Sequence, residues 1–333
     1  MIISKTPYRI SFFGGGTDFP AWYNRHGGKV ISTSINKYSY IVIRNLPKIF
    51  KYKFRIRYYF REETNSKNKI KHPVVRELLK LYPNIKNIDI THHGDLPARS
   101  GIASSSSFSV GLINSIYALQ NKRINKKKLS KQAIFFEQKI LRETVGSQDQ
   151  VITSYGGFRV INFEKDSITT NLIKYKNTVN ELEKWCQIFF LGNQRLASEL
   201  EKKKFEFINK KKNFILNEML KITNEAEILL ESNNKNNILY FSQLLDEQWK
   251  LKKMLNSSVS SKKIDEMYEF AKKNGAVSGK ILGAGGGGFF LLLTPPWLQK
   301  KLEKKIKLPN VAIKFEDQGS QIIFKSSNQL NKK

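Results

Sequence analysis

Strands followed by helices in each of two halves is the order this sequence predicts, a pattern compatible with an α+β fold. Three observations carry it. At 333 residues the chain exceeds what one compact core usually spans, so two domains are expected. The first third alternates polar and apolar residues as strands do, and from Ser104 the period becomes that of a helix. Beyond about Lys176 a strand-like run is followed by long amphipathic stretches and then by strands again.

Ile2 to Phe13 is a β-rich run broken by Pro7, and it ends at Gly14, Gly15 and Gly16. Val30 to Ile43 alternates Ser, Thr, Ile and Tyr, and Ile85 to Thr91 adds a short strand. Phe108, Leu112, Ile116 and Leu119 then fall at i, i+4, i+8 and i+11, one apolar stripe of a helix whose start suits the preceding serines. A second helix is expected from about Lys131 to Val145, with Ile134, Phe135, Ile140 and Leu141 apolar and Gly146 as its stop. Gly156-Gly157 turns into the strand Phe158 to Phe163. Polarity rises and periodicity fades from Asp166 to Glu183, which divides the chain into domains 1–176 and 177–333. After the boundary come a strand from Trp185 to Leu191 and three helices between about Ala197 and Asn274. A glycine-rich turn, the strand Phe289 to Thr294, a helix after Pro295-Pro296 and strands near Val311 and Ile322 complete the order. No internal repeat is evident.

A composition of 40% hydrophobic and 12% aromatic residues is globular rather than disordered. The single cysteine, Cys186, lies within an apolar run, so it is expected to be a buried thiol in a reducing compartment. The N-terminal residues show no long apolar signal region, and nowhere do eighteen apolar residues run together; a cytoplasmic location without membrane contact is expected. The net charge of +30, from 58 Lys+Arg against 28 Asp+Glu, raises the question of nucleic acid. Yet the lysines cluster in stretches such as NKRINKKKLSK and KKLEKKIK, on polar faces of expected helices. Without zinc spacing, an RNP-type motif or a basic-aromatic repeat, compositional bias is the better account. The same field favours anionic ligands.

Two segments carry chemistry. Pro97-Ala98-Arg99-Ser100-Gly101-Ile102-Ala103-Ser104-Ser105-Ser106-Ser107 lies between a strand and a helix. Small residues there admit a ligand to the backbone, and the first N–H groups of the helix point outward unpaired, as a phosphate site requires. A serine cap explains any one of these hydroxyls, but four in a row exceed what a cap needs. Gly279 to Gly288 contains G-x-G-x-x-G from Gly283 to Gly288. A dinucleotide fingerprint needs a following helix and an acidic residue about twenty positions on; a strand follows instead, and no carboxylate lies near Leu308. There is no G-x-x-x-x-G-K-[ST], no H-R-D with D-F-G, no H-E-x-x-H and no G-x-S-x-G. His26, His72, His92 and His93 give a histidine metal site little material. Glu137 and Asp149 stand out from the basic background, although alone they read as a solvated helix residue and a turn residue.

Together these segments resemble the three motifs of the GHMP kinase superfamily. Its first motif is matched from Pro7 to Asp18, its second from Pro97 to Ser107 and its third from Lys280 to Gly288. Within the superfamily the sequence is similar to bacterial D-glycero-D-manno-heptose 7-phosphate kinases, through GGGTD, HGDLPARSG and VGSQDQ with its following YGG turn. It departs from that subgroup at Ala103, where glycine is usual, and at Gly192 to Ser198.

The resemblance implies an N-terminal domain like the second domain of ribosomal protein S5 and a ferredoxin-like C-terminal domain, with ATP between them. It assigns ATP binding to Pro97, to Arg99 through Ser106, and to Gly285 and Gly286, and Mg²⁺ to Ser105 and Glu137. Asp149 takes the place of the catalytic carboxylate with Arg9 beside it, and Gly16, Thr17 and Asp18 that of the acceptor site. The implied reaction is transfer of the ATP γ-phosphate to the anomeric hydroxyl of a heptose 7-phosphate, feeding activated heptose for surface polysaccharide. A phosphorylated sugar asks for a basic partner, for which Arg195 and Arg25 are candidates. Another sugar such as fucose or galactose is the first alternative. A non-catalytic nucleic-acid-binding protein on the same fold is the second, and homodimer formation stays open.

Overall fold

The structure, a computed structural model, describes residues 1–173, 177–192, 210–232, 234 and 236–326. Two sheets organise it. The larger has eight strands: β1 (Ile2–Phe13), β2 (Gly28–Asn45), β3 (Phe54–Arg57), β4 (Arg61–Thr64), β5 (Ile88–Gly94), β6 (Phe158–Phe163), β7 (Ile168–Leu172) and β12 (Gln321–Lys325). Its main path runs β12-β1-β2-β5-β3-β4, with β6 on β2 and β7 on β6. The smaller sheet orders β11 (Asn310–Val311), β8 (Cys186–Phe190), β10 (Phe289–Leu293) and β9 (Ser278–Ile281), all antiparallel.

The described helices are α1 (Pro20–His26), α2 (Pro73–Lys80), α3 (Ser104–Leu119), α4 (Lys126–Phe135), α5 (Gln148–Tyr155), α6 (Asn177–Trp185), α7 (Lys210–Glu231), α8 (Asn237–Leu255), α9 (Lys262–Lys273) and α10 (Pro296–Ile306). One apolar cluster joins the two sheets. Phe12 and Phe13 of β1 pack with Phe241 and Leu245 of α8 and with Phe289 and Leu291 of β10. Phe13 meets Phe241 edge-on, with ring centroids 5.0 Å apart.

Instead of one apolar stripe, α3 is buried on nearly every face. Its small residues permit this, because backbones approach where side chains are short. Ser107 Oγ donates to the Pro7 carbonyl at 2.8 Å, and a Cβ on Gly111 would lie 2.8 Å from Thr6 Oγ1.

The second helix begins earlier and ends earlier than its sequence period implies. Asn125 caps α4, accepting from the Lys128 amide at 2.8 Å. A π-helical turn over Phe136–Ile140 then widens the coil, and the chain leaves the helix before Gly146. The faded stretch from Asp166 to Glu183 holds β7 and α6. Residue 176 lies outside the described residues. β12, expected near Ile322, joins the larger sheet beside β1, so the unit built on 1–173 also takes in 321–325. Cys186 is buried, and burial pushes its thiol well above the usual range. Among the described residues no helix is long and apolar enough to cross a membrane.

Candidate active site

A cleft of about 480 Å³ opens where the two sheets face each other. One wall carries Arg9 and Ser11 of β1, the Gly15–Gly16 turn with Asp18, the start of α3 and residues 141–150. The other wall carries Lys252, Leu255, Asn256, Val259, Lys280, Gly283 and Ala284.

Asp149 and Arg9 meet inside it as a bidentate pair. Arg9 Nε donates to Oδ1 at 2.8 Å and Nη2 to Oδ2 at 2.9 Å. Asp149 sits in the first turn of α5, a helix absent from the sequence expectation, where an anionic side chain suits the local dipole. Arg9 is buried, while the Asp149 side chain keeps 24% of its exposure towards the cleft. The arginine also ties in the phosphate-loop candidate, since Nη1 donates to the Gly101 carbonyl and its amide to the Ile102 carbonyl at 3.1 Å.

That loop reaches α3 through left-handed backbone at Arg99, Gly101 and Ala103. Ala103, where the resembling subgroup has glycine, adopts φ 64° at a cost of about 1 kcal/mol. The amides of Ser104 to Ser106 have no intrahelical acceptor and open to the cleft, as an anion site requires. Arg99, Gly101, Ala103, Ser104, Ser105 and Ser106 line the cavity; Pro97, Ser100 and Ile102 do not. Ser100 and Ile102 lie buried behind it, with Ser100 Oγ bonded to the Pro97 carbonyl at 2.5 Å.

The third motif packs directly against the second. A Cβ on Gly288 would lie 2.3 Å from the Ser100 carbonyl oxygen, and the Phe289 amide donates to that oxygen at 3.1 Å. Gly283 and Ala284 face the cleft. Gly285 and Gly286 stand behind them on Val259, whose carbonyl accepts from the Gly286 amide at 2.8 Å.

Glu137 occupies the π-helical turn, 1% exposed. Its Oε2 accepts from Ser106 Oγ at 3.0 Å and from the Gln150 side-chain amide, while Oε1 has no hydrogen-bond partner among the described residues. Burial, with Glu143 nearby, pushes its carboxyl up to about 7. Ser105, expected beside Glu137, is exposed at the cleft; the hydroxyl bonded to this carboxylate is that of Ser106. An orphaned carboxylate oxygen just behind the cleft lining, with the Ser106 hydroxyl on its twin, is a hard-oxygen donor set that fits Mg²⁺.

Asp18 is buried at the cleft wall, accepting from the Gly16 amide at 2.9 Å and the Gln148 amide at 3.3 Å. Desolvation raises its carboxyl pKa. A Cβ on Gly146 would lie 2.0 Å from Asp18 Oδ2, so this glycine serves the carboxylate rather than a helix stop. Thr17 is buried out of the cleft, holding the Gly14 carbonyl at 2.8 Å, and Gly16 lines it. Arg25 is exposed on α1 away from the cleft; Arg195 and the segment from 193 lie outside the described residues.

Lys280, Lys252 and Glu143 are among the cleft residues to which the sequence reading assigned no role. Lys280 Nζ, buried, donates to the Phe12 carbonyl at 2.7 Å, and desolvation aided by Arg9 pulls its amine down to about 7. Lys252 Nζ donates to the Gly283 carbonyl at 2.6 Å. Glu143 lines the cleft with its carboxyl pKa raised by burial. In a chain with 58 Lys+Arg nothing local distinguishes either lysine.

Residues 68–157 match the N-terminal domain of GHMP kinases and residues 229–308 the C-terminal domain. The chain belongs to the GHMP kinases. It is accordingly a phosphotransferase with an alcohol group as acceptor, in a family that uses ATP. This GHMP kinase is 27% identical over 296 residues to the D-glycero-alpha-D-manno-heptose 7-phosphate kinase of Campylobacter jejuni, covering 85% of this chain and 86% of that protein. It is 20% identical to the bifunctional fucokinase/GDP-fucose pyrophosphorylase of Arabidopsis thaliana, over 84% of this chain and 28% of the plant protein. The crystal structure of a D-glycero-D-manno-heptose 1-phosphate kinase from Bacteroides thetaiotaomicron superposes with a TM-score of 0.77 at 21% identity, covering 98% of this chain and 100% of that one. The kinase thus has the two-domain GHMP fold expected from its motifs.

Proposed function

We propose that this GHMP kinase transfers the γ-phosphoryl group of ATP to the anomeric hydroxyl of D-glycero-D-manno-heptose 7-phosphate, supplying activated heptose for surface polysaccharide. The observation that carries the chemistry is the Asp149–Arg9 pair, set in one cleft with the open N-terminus of α3. The choice of sugar rests on likeness to the Campylobacter enzyme across most of both chains.

Amides from Arg99 to Ser106 cradle the triphosphate at the helix start. Asp149 keeps lone pairs beyond the two that Arg9 engages, and these receive or orient the proton of the acceptor hydroxyl. Arg9 faces the oxygen that gains charge as that proton leaves. Glu137, Ser106 and Ser105 are the residues that would hold Mg²⁺, which neutralises phosphate charge when bound. The acceptor lies towards Gly16 and Asp18.

A coupled ADP-release assay against free and phosphorylated sugars tests this reading. ADP release stimulated most by heptose 7-phosphate supports it. Stimulation by fucose, the sugar named for the Arabidopsis relative, would favour a fucokinase instead.

A further inference from the structure

Arg9 and Ser11, two residues apart, stand on the same face of β1, and both line the cleft. Ser11 is 5% exposed, and its Oγ has no hydrogen-bond partner among the described residues. Between Ser11 and Phe13 the strand bulges: Ser11 lies opposite Ser32 and Phe13 opposite Ile31, so Phe12 has no partner in the register. Its carbonyl is the one that Lys280 reaches from β9, at 2.7 Å. Lys280 is 3% exposed and lines the same cavity, with this single hydrogen bond to its amine. An amine drawn down to about 7 still donates in either charge state, so it has donors to spare. A second buried atom at this wall, Gln148 Oε1, also lacks a partner among the described residues.

Buried polar atoms are nearly always hydrogen-bonded in a working protein, so a cluster of unsatisfied ones facing a cleft marks where a polar ligand completes them. Two residues of extended strand advance about 7 Å, roughly the span of a sugar ring. We propose that Ser11 and Lys280 bind the acceptor, gripping sugar oxygens beyond the one that faces Asp149. The acceptor then lies along β1, from Arg9 towards the Gly14–Gly16 turn. This inference rests on the acceptor's being a sugar, as proposed above; an alcohol with no second polar group leaves Ser11 Oγ unsatisfied and the spare donors of Lys280 unused.

The test is steady-state kinetics of Ser11→Ala and Lys280→Met in the full chain, with heptose 7-phosphate, fucose and galactose as acceptors. Binding of a fluorescent ATP analogue and the melting temperature are measured alongside. Loss of one hydrogen bond predicts that Ser11→Ala raises the acceptor KM about tenfold, with ATP affinity within about twofold of wild type. Lys280→Met raises it further. If Lys280→Met does not fold, Ser11→Ala decides alone. An unchanged acceptor KM in Ser11→Ala, or ATP affinity falling in step with it, overturns the inference while the sugar-kinase reading stands. A wild-type enzyme that phosphorylates no sugar overturns both.

Discussion

Gly101 and Gly283 touch backbone to backbone: a Cβ built on Gly283 would stand 2.5 Å from the Gly101 Cα, and one on Gly101 2.3 Å from the Leu282 carbonyl oxygen. Two motifs far apart in sequence thereby join the two walls of the cleft. Their glycines serve mutual approach as much as ligand approach.

Gly283→Ala therefore costs stability as well as activity. Left-handed backbone at φ 68° disfavours alanine by roughly 1–2 kcal/mol, and displacing a neighbouring main chain adds about 1–3 kcal/mol. Urea denaturation should show a loss of about 2–5 kcal/mol.

Asp149→Ala should lower turnover by roughly 10²- to 10⁴-fold and leave ATP affinity largely intact. Single-turnover kinetics with separate nucleotide titration checks this. Near-normal turnover would remove Asp149 from the mechanism.

The two serines are separable. Ser106→Ala takes a donor from buried Glu137 and should cost about 1 kcal/mol of stability, whereas exposed Ser105 should tolerate alanine within about 0.5 kcal/mol. Both variants should need more Mg²⁺ for half-activation. Thermal melts and Mg²⁺ titrations of activity give the comparison.

Glu137→Gln should stabilise the metal-free protein at alkaline pH while abolishing turnover. With a folded value near 7 against an ordinary 4.5, the native carboxyl holds a proton that the unfolded chain releases between those limits. Wild-type stability thus falls as pH rises from about 4.5 to 7, by roughly 3 kcal/mol, and the fall is absent from Glu137→Gln. Melting temperatures in EDTA from pH 4 to 9 would show the two curves separating.

Much of the fold was legible because its signals are local. The strands β1 and β2, the helix α3 and the apolar β10 appear where periodicity and glycine placed them, although α3 is buried on nearly every face and not along one stripe. The end of α4 was not, since a π-helical turn leaves no mark in apolar spacing. Nor was the role of Gly146, which depends on Asp18 arriving from far away in sequence. In the candidate site, the small residues of the loop before α3 pointed to a segment that the structure places at the cleft, but Asp149, Arg9 and Glu137 were assigned roles only through family likeness. Lys280 opens the third motif, yet it was given no role, because what distinguishes it is a carbonyl freed by a bulge in another sheet.

β12 pairs with β1, setting Ile2 against Lys325 and Lys5 against Gln321. During synthesis the outer edge of the strand bearing Arg9 waits for a strand that follows it only after both sheets' other strands. Until then that flank presents bare peptide groups able to recruit a stranger's strand. The nascent chain is thus exposed to mispairing along the very ribbon that lines its cleft.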